Sequence, residues 1–267
     1  MTAYTVDPSQ AEGLAEIAAS LPLSLGPTGD RAPQLVAVEG SSGWEQRARE
    51  AADGGALAVV VGSPSLDETA GDDAARLDGD HAARVVLAWD FAANPGVLAA
   101  AALLDGTGTH PRERARLAEA VVRVPPGTDL DAALLDALVA VGRVAGEPAS
   151  VRSLHRSASS WHLAGEARSG APLALSLLVT NAAPASLRLR ILTDDGGLTA
   201  VVPSPETAAP AEVRIIGRDG ERLLPTLWET SRRASWRRAV AIAAGGTLSA
   251  DVAELHRIIH LIPARLG

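Results

Sequence analysis

Two residue types that carry much of enzyme chemistry are missing from this chain of 267 residues. It has no cysteine, which excludes thiolate nucleophiles, disulfides and cysteine-based metal sites. It also has no lysine, because all 24 basic residues are arginine, and this excludes Schiff bases and phosphate-loop lysines. A lysine amine is therefore unavailable to whatever chemistry the protein performs.

Four of the six histidines form two groups in the sequence. His256 and His260 lie four residues apart on one face of the last predicted helix, but the segment lacks the glutamate of the H-E-x-x-H zinc motif. His155 and His162 are followed by Glu166. His256 and His260 have no clear third ligand in the sequence. A loop between His155 and His162 can place their side chains far from each other, so no metal site is predicted.

Serines and arginines supply the other candidates. The serines between 157 and 160 lack a G-x-S-x-G turn, so no hydrolase triad is predicted. Trp228 and Trp236 lie close in sequence to four arginines. This pattern is typical of a site for an anionic ligand, of a protein–protein interface, or of an exposed helix whose tryptophans pack on a sheet. The arginines are Arg232, Arg233, Arg237 and Arg238.

The charge distribution argues against nucleic acid as a partner. The net charge of −8 comes from the first half of the chain, because residues 1–127 carry a net charge of −9 and the remainder carries +1, and an acidic half repels phosphate backbones. The sequence shows neither a long apolar run nor a secretory leader pattern. We therefore expect a cytoplasmic protein without membrane or nucleic-acid partners.

Hydrophobic periodicity predicts two unlike domains. Short apolar strands alternate with helices through residues 1–125, as in a parallel sheet covered by helices. A helix follows at 130–144, after which alternating strands and two final helices make up residues 126–267. The predicted fold class is α/β, with a shortened Rossmann-like parallel-sheet domain followed by an α+β domain whose open sheet is largely antiparallel. The segment Val-Pro-Pro-Gly at 124–127 is the predicted boundary.

Three segments carry a family resemblance. They are QLVAVEGSSGWEQRAREAADGGALAVVVGSP, LLDALVAVGRVAGEPASVRS with its Gly-Glu-Pro corner, and the hairpin ILTDDGGLTAVVP. Together they resemble the Gfo/Idh/MocA family, which includes glucose-fructose oxidoreductase and inositol dehydrogenase. The resemblance implies NAD(P)-dependent hydride transfer to or from a sugar-like carbon.

The cofactor segment departs from that family. The first strand should lead into G-x-G-x-x-G, but the sequence from Val6 reads VDPSQAEG and has two carboxylates and a proline before its glycine. Asp7 or Ser9 at this turn suits a helix cap better. Glu39 occupies the position of the acid that holds a ribose hydroxyl in NAD-dependent relatives, and the turn at 40–43 is interpreted as capped by Ser41 or Ser42. We expect neither NAD nor NADP to bind, and Glu39 is the remaining cofactor candidate.

The catalytic segments depart as well. The resemblance implies a lysine in a Glu-Lys-Pro segment after a strand, and a D-x-x-x-H signature on the helix before the Gly-Glu-Pro corner. The matching segments contain Asp90 and Asp136 as candidate catalytic residues, with Trp89 and Asn94 as candidate cleft residues, and no lysine or histidine.

Together these features predict an oxidoreductase-like protein of small-molecule metabolism that has lost NAD(P) binding and hydride transfer. It would act as a partner subunit or as a ligand-binding pseudo-enzyme. The alternative is an active enzyme, either a divergent NAD(P)-dependent oxidoreductase on a sugar-like substrate or a redox-neutral catalyst that uses cleft carboxylates. The resemblance also implies association, with a second copy or a companion subunit, through the sheet of the second domain.

Overall fold

The computed structural model describes residues 4–7, 14–21, 24–27, 32–65, 77, 79–106, 115–207 and 209–262. The chain forms two compact units. One contains Met1–Trp89 and Ser231–Arg257, and the other contains Asp90–Thr230 and Ile258–Gly267. The chain therefore leaves the first unit, builds most of the second, returns to the first, and ends in the second.

Strands and helices are numbered in chain order. The helices are α1 (Leu14–Ala19), α2 (Trp44–Asp53), α3 (Gly79–Ala83), α4 (Pro95–Gly106), α5 (Leu130–Ala145), α6 (Ser231–Ala243) and α7 (Asp251–Ile258). The strands are β1 (Tyr4–Asp7), β2 (Leu25–Pro27), β3 (Leu35–Glu39), β4 (Ala58–Gly62), β5 (Val85–Ala88), β6 (Ala115–Val124), β7 (Pro148–Arg156), β8 (Ser160–Ala167), β9 (Pro172–Val179), β10 (Ser186–Thr193), β11 (Gly196–Pro203), β12 (Glu212–Gly217) and β13 (Gly220–Leu223).

The first unit is built on a parallel sheet with the strand order β2-β1-β3-β4-β5. The apolar runs of β4 and β5 are almost wholly buried, as expected for a parallel sheet covered by helices on both faces. Helix α6 contributes Trp236, Ala239 and Ile242 to the core that forms on this sheet. The predicted Rossmann-like parallel sheet is confirmed.

The second unit is built on an eight-stranded sheet with the order β13-β12-β11-β10-β6-β9-β8-β7. Every strand pair is antiparallel except β6 with β9. Leu187, Leu189 and Ile191 are buried in β10, whereas Arg188 and Arg190 between them are exposed. Period-two alternation therefore identified correctly a sheet with one covered and one open face.

The predicted boundary at residue 125 differs from the division between the units. Strand β6 lies before residue 125, yet it pairs with β9 and β10 in the middle of the second unit's sheet. The Pro-Pro-Gly segment that follows is a turn between β6 and α5, in which Pro125 O accepts hydrogen bonds from Thr128 N and Oγ1. Such a turn has the same sequence whether it joins two domains or two elements of one domain. Within the described ranges, no helix is long and apolar enough to cross a membrane.

A buried carboxylate joins three elements of the first unit. Asp251 at the start of α7 is 2% exposed. Its Oδ2 accepts hydrogen bonds from Leu87 N in β5 at 2.9 Å and from Arg238 Nη1 in α6 at 3.0 Å. Its Oδ1 accepts a hydrogen bond from Arg238 Nη2 at 2.8 Å. The two helices that end the chain are thereby fixed to the first sheet.

Replacing this carboxylate should destabilise the first unit. We expect Asp251→Ala to lower the free energy of unfolding by about 3 kcal/mol or more, because it leaves a guanidinium without its buried counter-charge. The measurement is urea unfolding followed by circular dichroism. Glu119→Gln, which breaks the exposed pair with Arg190, is the control and should cost less than about 1 kcal/mol. Equal effects of the two substitutions would contradict the assignment.

Candidate functional site

The loop after β5 and the helix α5 meet in the second unit. Helix α5 begins at Leu130 behind Asp129, whose side chain accepts a hydrogen bond from Asp131 N at 2.9 Å and caps the helix. Most of the helix is buried, including Asp136, which is 5% exposed. The two segments to which the resemblance assigns proton-handling residues therefore lie side by side.

Asp136 holds the loop by both carboxylate oxygens. Oδ2 accepts a hydrogen bond from Phe91 N at 2.8 Å, and Oδ1 accepts one from Ala92 N at 2.8 Å. Arg143, seven residues farther along α5, donates from Nη1 to Ala92 O at 2.8 Å. Two side chains of α5 thus hold this short loop. The Asp136 carboxylate binds two of its backbone N–H groups, and the Arg143 guanidinium binds one of its carbonyl oxygens.

The surroundings of Asp136 act in both directions on its pKa. Burial is the largest effect and, with the nearby carboxylate of Asp90, raises the pKa of Asp136 to about 7. The amides of Ala92 and Phe91 and the charge of Arg143 lower it. The structure therefore brings the two predicted catalytic carboxylates together, in a setting where one of them titrates near neutral pH.

The predicted cleft residues occupy structural positions. Asn94 is buried, and its Oδ1 accepts a hydrogen bond from Gly96 N at 2.9 Å, which fixes the start of α4. Trp89 is buried at the end of the first unit, and no described group accepts a hydrogen bond from its Nε1. A ligand-binding role for either residue remains a prediction.

The turn after β3 lies where the chain connectivity of the first sheet reverses. In the sheet, β2 lies on one side of β1 and β3 lies on the other side, so the direction of the chain connections changes at β1. Ligands of open α/β sheets bind at the carboxyl ends of the strands where this change occurs. Glu39 ends β3 and is exposed. The resemblance implied that the segment QLVAVE is the second strand of this domain. In the structure the second strand is β2, which was not predicted and pairs with β1 on its other side, so β3 with Glu39 is the third strand.

The residues of this turn do not fit a dinucleotide diphosphate. The guanidinium of Arg47 donates to the carbonyl oxygens of Glu39, Ser41 and Ser42 and to Ser41 Oγ, at distances between 2.7 and 3.0 Å. A diphosphate site needs backbone N–H groups directed at the ligand, whereas carbonyl oxygens of this turn converge on a cation of the chain itself.

The cap of α2 also differs from the prediction. Gly43 occupies the N-cap with a φ of 75°, and no side chain caps the helix, so the assignment to Ser41 or Ser42 was wrong. Only glycine adopts this backbone conformation readily, which explains why a glycine and not a serine occupies the position. The turn after β1, with Ser9 as a candidate cap, lies outside the described residues.

The arginine cluster is divided by the fold. Arg238 is engaged by the buried Asp251, which corrects its assignment as an anion or partner contact. Arg233 and Arg237 are exposed and Arg232 is half-buried. Trp236 is fully buried against the first sheet, whereas Trp228 is 75% exposed. The spacing of tryptophans and arginines in the sequence could not predict which of the four arginines pairs with a buried carboxylate.

The last histidine group does not assemble a metal site. His256 Nε2 lies 3.2 Å from Glu45 Oε1 of α2, and His260 is exposed in the turn that follows α7. In the described part of the chain, no group of three or more histidine, aspartate or glutamate side chains could hold a metal ion.

No protein-family model matches the chain, and no curated protein matches it. Solved structures do match. An oxidoreductase from Sinorhizobium meliloti is 14% identical with a TM-score of 0.74, over 98% of this chain and 96% of that one. The UDP-N-acetylglucosamine 3-dehydrogenase GnnA from Acidithiobacillus ferrooxidans is 19% identical with a TM-score of 0.62, over 97% and 86%.

A third match is a 3-ketoreductase from Actinomadura kijaniata, solved with TDP-benzene and NADP. It is 17% identical with a TM-score of 0.60, over 86% of this chain and 75% of that one. The solved neighbours are Gfo/Idh/MocA-type oxidoreductases, and this chain has their fold. The resemblance drawn from the sequence is confirmed at that level.

The raised pKa of Asp136 predicts a pH-dependent stability. The folded protein keeps this proton up to about pH 7, whereas an unfolded aspartate releases it near 3.8. The free energy of unfolding should therefore fall as pH rises between these values, by up to a few kcal/mol at about 1.4 kcal/mol per pKa unit. Asp136→Asn removes the titration, so urea unfolding at pH 5 and pH 8 should show a smaller difference than in the unmodified protein.

Asp219→Asn, at an exposed turn, is the matched control and should keep the full pH dependence. If Asp136→Asn shows the same slope with pH as the unmodified protein, the pKa of Asp136 is not raised.

Proposed function

We propose that this chain is an oxidoreductase-like protein of the Gfo/Idh/MocA type that has lost NAD(P) binding and hydride transfer. It serves small-molecule metabolism as a partner subunit or as a ligand-binding pseudo-enzyme. Its fold supports the oxidoreductase origin. The chain's own residues support the loss of cofactor binding and hydride transfer.

The observation that carries the proposal is the bonding of Asp136. Its two oxygens each accept a backbone N–H, and the side chain is nearly inaccessible to solvent. A general acid or base must reach the atom whose proton it transfers. A carboxylate fully engaged in holding a loop is placed for structure, and the chain has no lysine to take its role.

The electrostatics of the first sheet support the same conclusion. Asp7 and Glu39 end adjacent parallel strands at the connectivity reversal, where a cofactor would place its diphosphate. Two carboxylates disfavour such a ligand, and Arg47 is held by the carbonyl oxygens of its own turn.

The open face of the eight-stranded sheet is the surface we assign to a partner. The part of this face on β8 and β9 carries small side chains, among them Ala164 of β8 and Ala174 and Ser176 of β9. Exposed arginines of β10 lie to one side. Small side chains allow two sheets to approach closely, which suits a second copy or a companion subunit with the same kind of face.

A second candidate is an active enzyme, and the pKa of Asp136 favours it. A carboxyl group that titrates at about 7 beside Asp90 has the proton affinity that acid–base catalysis requires at neutral pH. This enzyme is either a divergent NAD(P)-dependent oxidoreductase acting on a sugar-like substrate or a redox-neutral catalyst. In the second case Asp90 and Asp136 exchange protons with substrate without any hydride acceptor.

Cofactor titration distinguishes the two candidates. We expect isothermal titration of the full chain with NAD(H) and NADP(H) to show no saturable binding at micromolar concentrations, because the sheet edge is acidic. A dehydrogenase of this fold provides the positive control. Saturable micromolar binding would overturn the proposal and support the divergent oxidoreductase.

The redox-neutral enzyme has its own test. Sugar-like compounds incubated with the protein, without added cofactor, are followed by NMR for conversion or proton exchange with solvent. We expect none. Conversion that is abolished by both Asp90→Asn and Asp136→Asn, and retained by Asp219→Asn, would establish the second candidate instead.

Association through the open face is tested by light scattering after size-exclusion chromatography. We expect a mass above that of one chain, alone or with a co-purified companion, and Ala174→Arg should reduce it by placing a charge on the face. Asp219→Arg, away from the centre of the face, should not. A monomer without a companion, or equal behaviour of the two variants, would contradict the assigned surface.

A further inference from the structure

Two histidines lie side by side on the open face of the second unit. His155 of β7 is directly opposite His162 of β8 in the strand register. The two ring centroids are 6.2 Å apart and the ring planes differ by 26°. His155 is exposed and His162 is half-buried, so solvent reaches the pair.

An irregularity in β7 creates this pair. Ser153 is opposite Leu163 and His155 is opposite His162, so Leu154 is an extra residue without a counterpart on β8. Strict alternation would place Ser153 and His155 on the same face of the sheet. The bulge instead turns His155 to the open face, and bulges are known to redirect side chains in this way.

The same bulge removes a cation from the pair. Arg156 turns to the covered face, where its guanidinium lies 4.0 Å from the centre of the Trp161 ring and 3.4 Å from Asp131 Oδ1. If β7 paired regularly with β8 without the bulge, Arg156 would lie opposite Ser160 on the open face, close to His162. A positive charge there would oppose the binding of a metal cation.

The ring of His162 is oriented by a neighbouring strand. Its Nδ1 lies 3.0 Å from Ser176 Oγ, and Ser176 is the residue opposite His162 on β9. A hydrogen bond at one ring nitrogen leaves the other nitrogen as the ligand atom, and metal-binding histidines generally have such a bond. Nε2 of His162 is therefore the atom available to an ion.

We propose that His155 and His162 form a binding site for a divalent first-row transition-metal ion, with Zn²⁺, Ni²⁺ and Cu²⁺ as the class of ligand. Each imidazole supplies one nitrogen at about 2.0–2.1 Å, after a side-chain rotation that closes the 6.2 Å ring separation around the ion. Water or a bound small molecule fills the remaining positions. The site lies on the same open face that we assign to a partner, and the inference rests on the placement of His155, His162 and Ser176 rather than on that assignment.

The third residue of the sequence group is not part of the site. Glu166 is four residues beyond His162 on the same strand, about 13 Å away at 3.3 Å per residue. With two nitrogen ligands and no carboxylate, the site should prefer ions that bind imidazole over Mg²⁺ and Ca²⁺, which prefer oxygen.

The test is isothermal titration of the full chain, free of any affinity tag, with Zn²⁺, Ni²⁺ and Mg²⁺. We expect one Zn²⁺ or Ni²⁺ per chain and no binding of Mg²⁺. His155→Ala and His162→Ala should each weaken binding by about 100-fold, and Ser176→Ala by about tenfold, as for loss of an orienting hydrogen bond. His260→Ala, an exposed histidine outside the site, is the matched control and should not change the affinity.

A second readout identifies the ligand atoms. Cu²⁺ bound to the unmodified protein should show electron paramagnetic resonance splitting from two nitrogens, and each single variant should show one fewer. Circular dichroism of the variants confirms folding. Zn²⁺ binding that is unchanged in both His155→Ala and His162→Ala, or that is lost equally in His260→Ala, would overturn the site as adventitious binding elsewhere. Absence of any binding would overturn it as well.

Discussion

The backbone amides of Phe91 and Ala92 follow the end of β5, and the carboxylate of Asp136 accepts a hydrogen bond from each. Buried amides need such partners, and a buried carboxylate needs such donors, so each group is stable only because the other is present. The loop can neither swing away from α5 nor release the carboxylate without leaving polar groups unsatisfied. The geometry of the whole candidate site depends on this mutual requirement.

That requirement also constrains chemistry. Burial and Asp90 raise the pKa of Asp136, whereas the two amides and Arg143 lower it. The value of about 7 results from these opposed effects and does not by itself indicate catalysis. In the first unit a positively charged side chain is held by backbone groups in the same way, because the guanidinium of Arg47 donates hydrogen bonds to carbonyl oxygens of its turn. In both places, polar groups that resemble a functional site satisfy one another.

Much of the fold could be predicted because periodicity reflects burial. Alternation in β10 and the apolar runs of β4 and β5 were identified correctly, since each strand's pattern follows from which faces are covered. Strand β6 was missed, although it lies between β9 and β10 in the middle of its sheet. Its sequence ARLAEAVVRV begins like a helix, and only pairing with two neighbours selects the strand.

The sequence by itself determined which side chains exist and which faces of each element are apolar. It therefore excluded lysine and cysteine chemistry and indicated two kinds of sheet. The tertiary structure alone decided which charges are paired. It placed Arg238 on Asp251, Asp136 on the loop after β5, and His155 beside His162 through a one-residue bulge. Such pairings join residues distant in the chain and depend on register and packing, for which a local pattern carries no information.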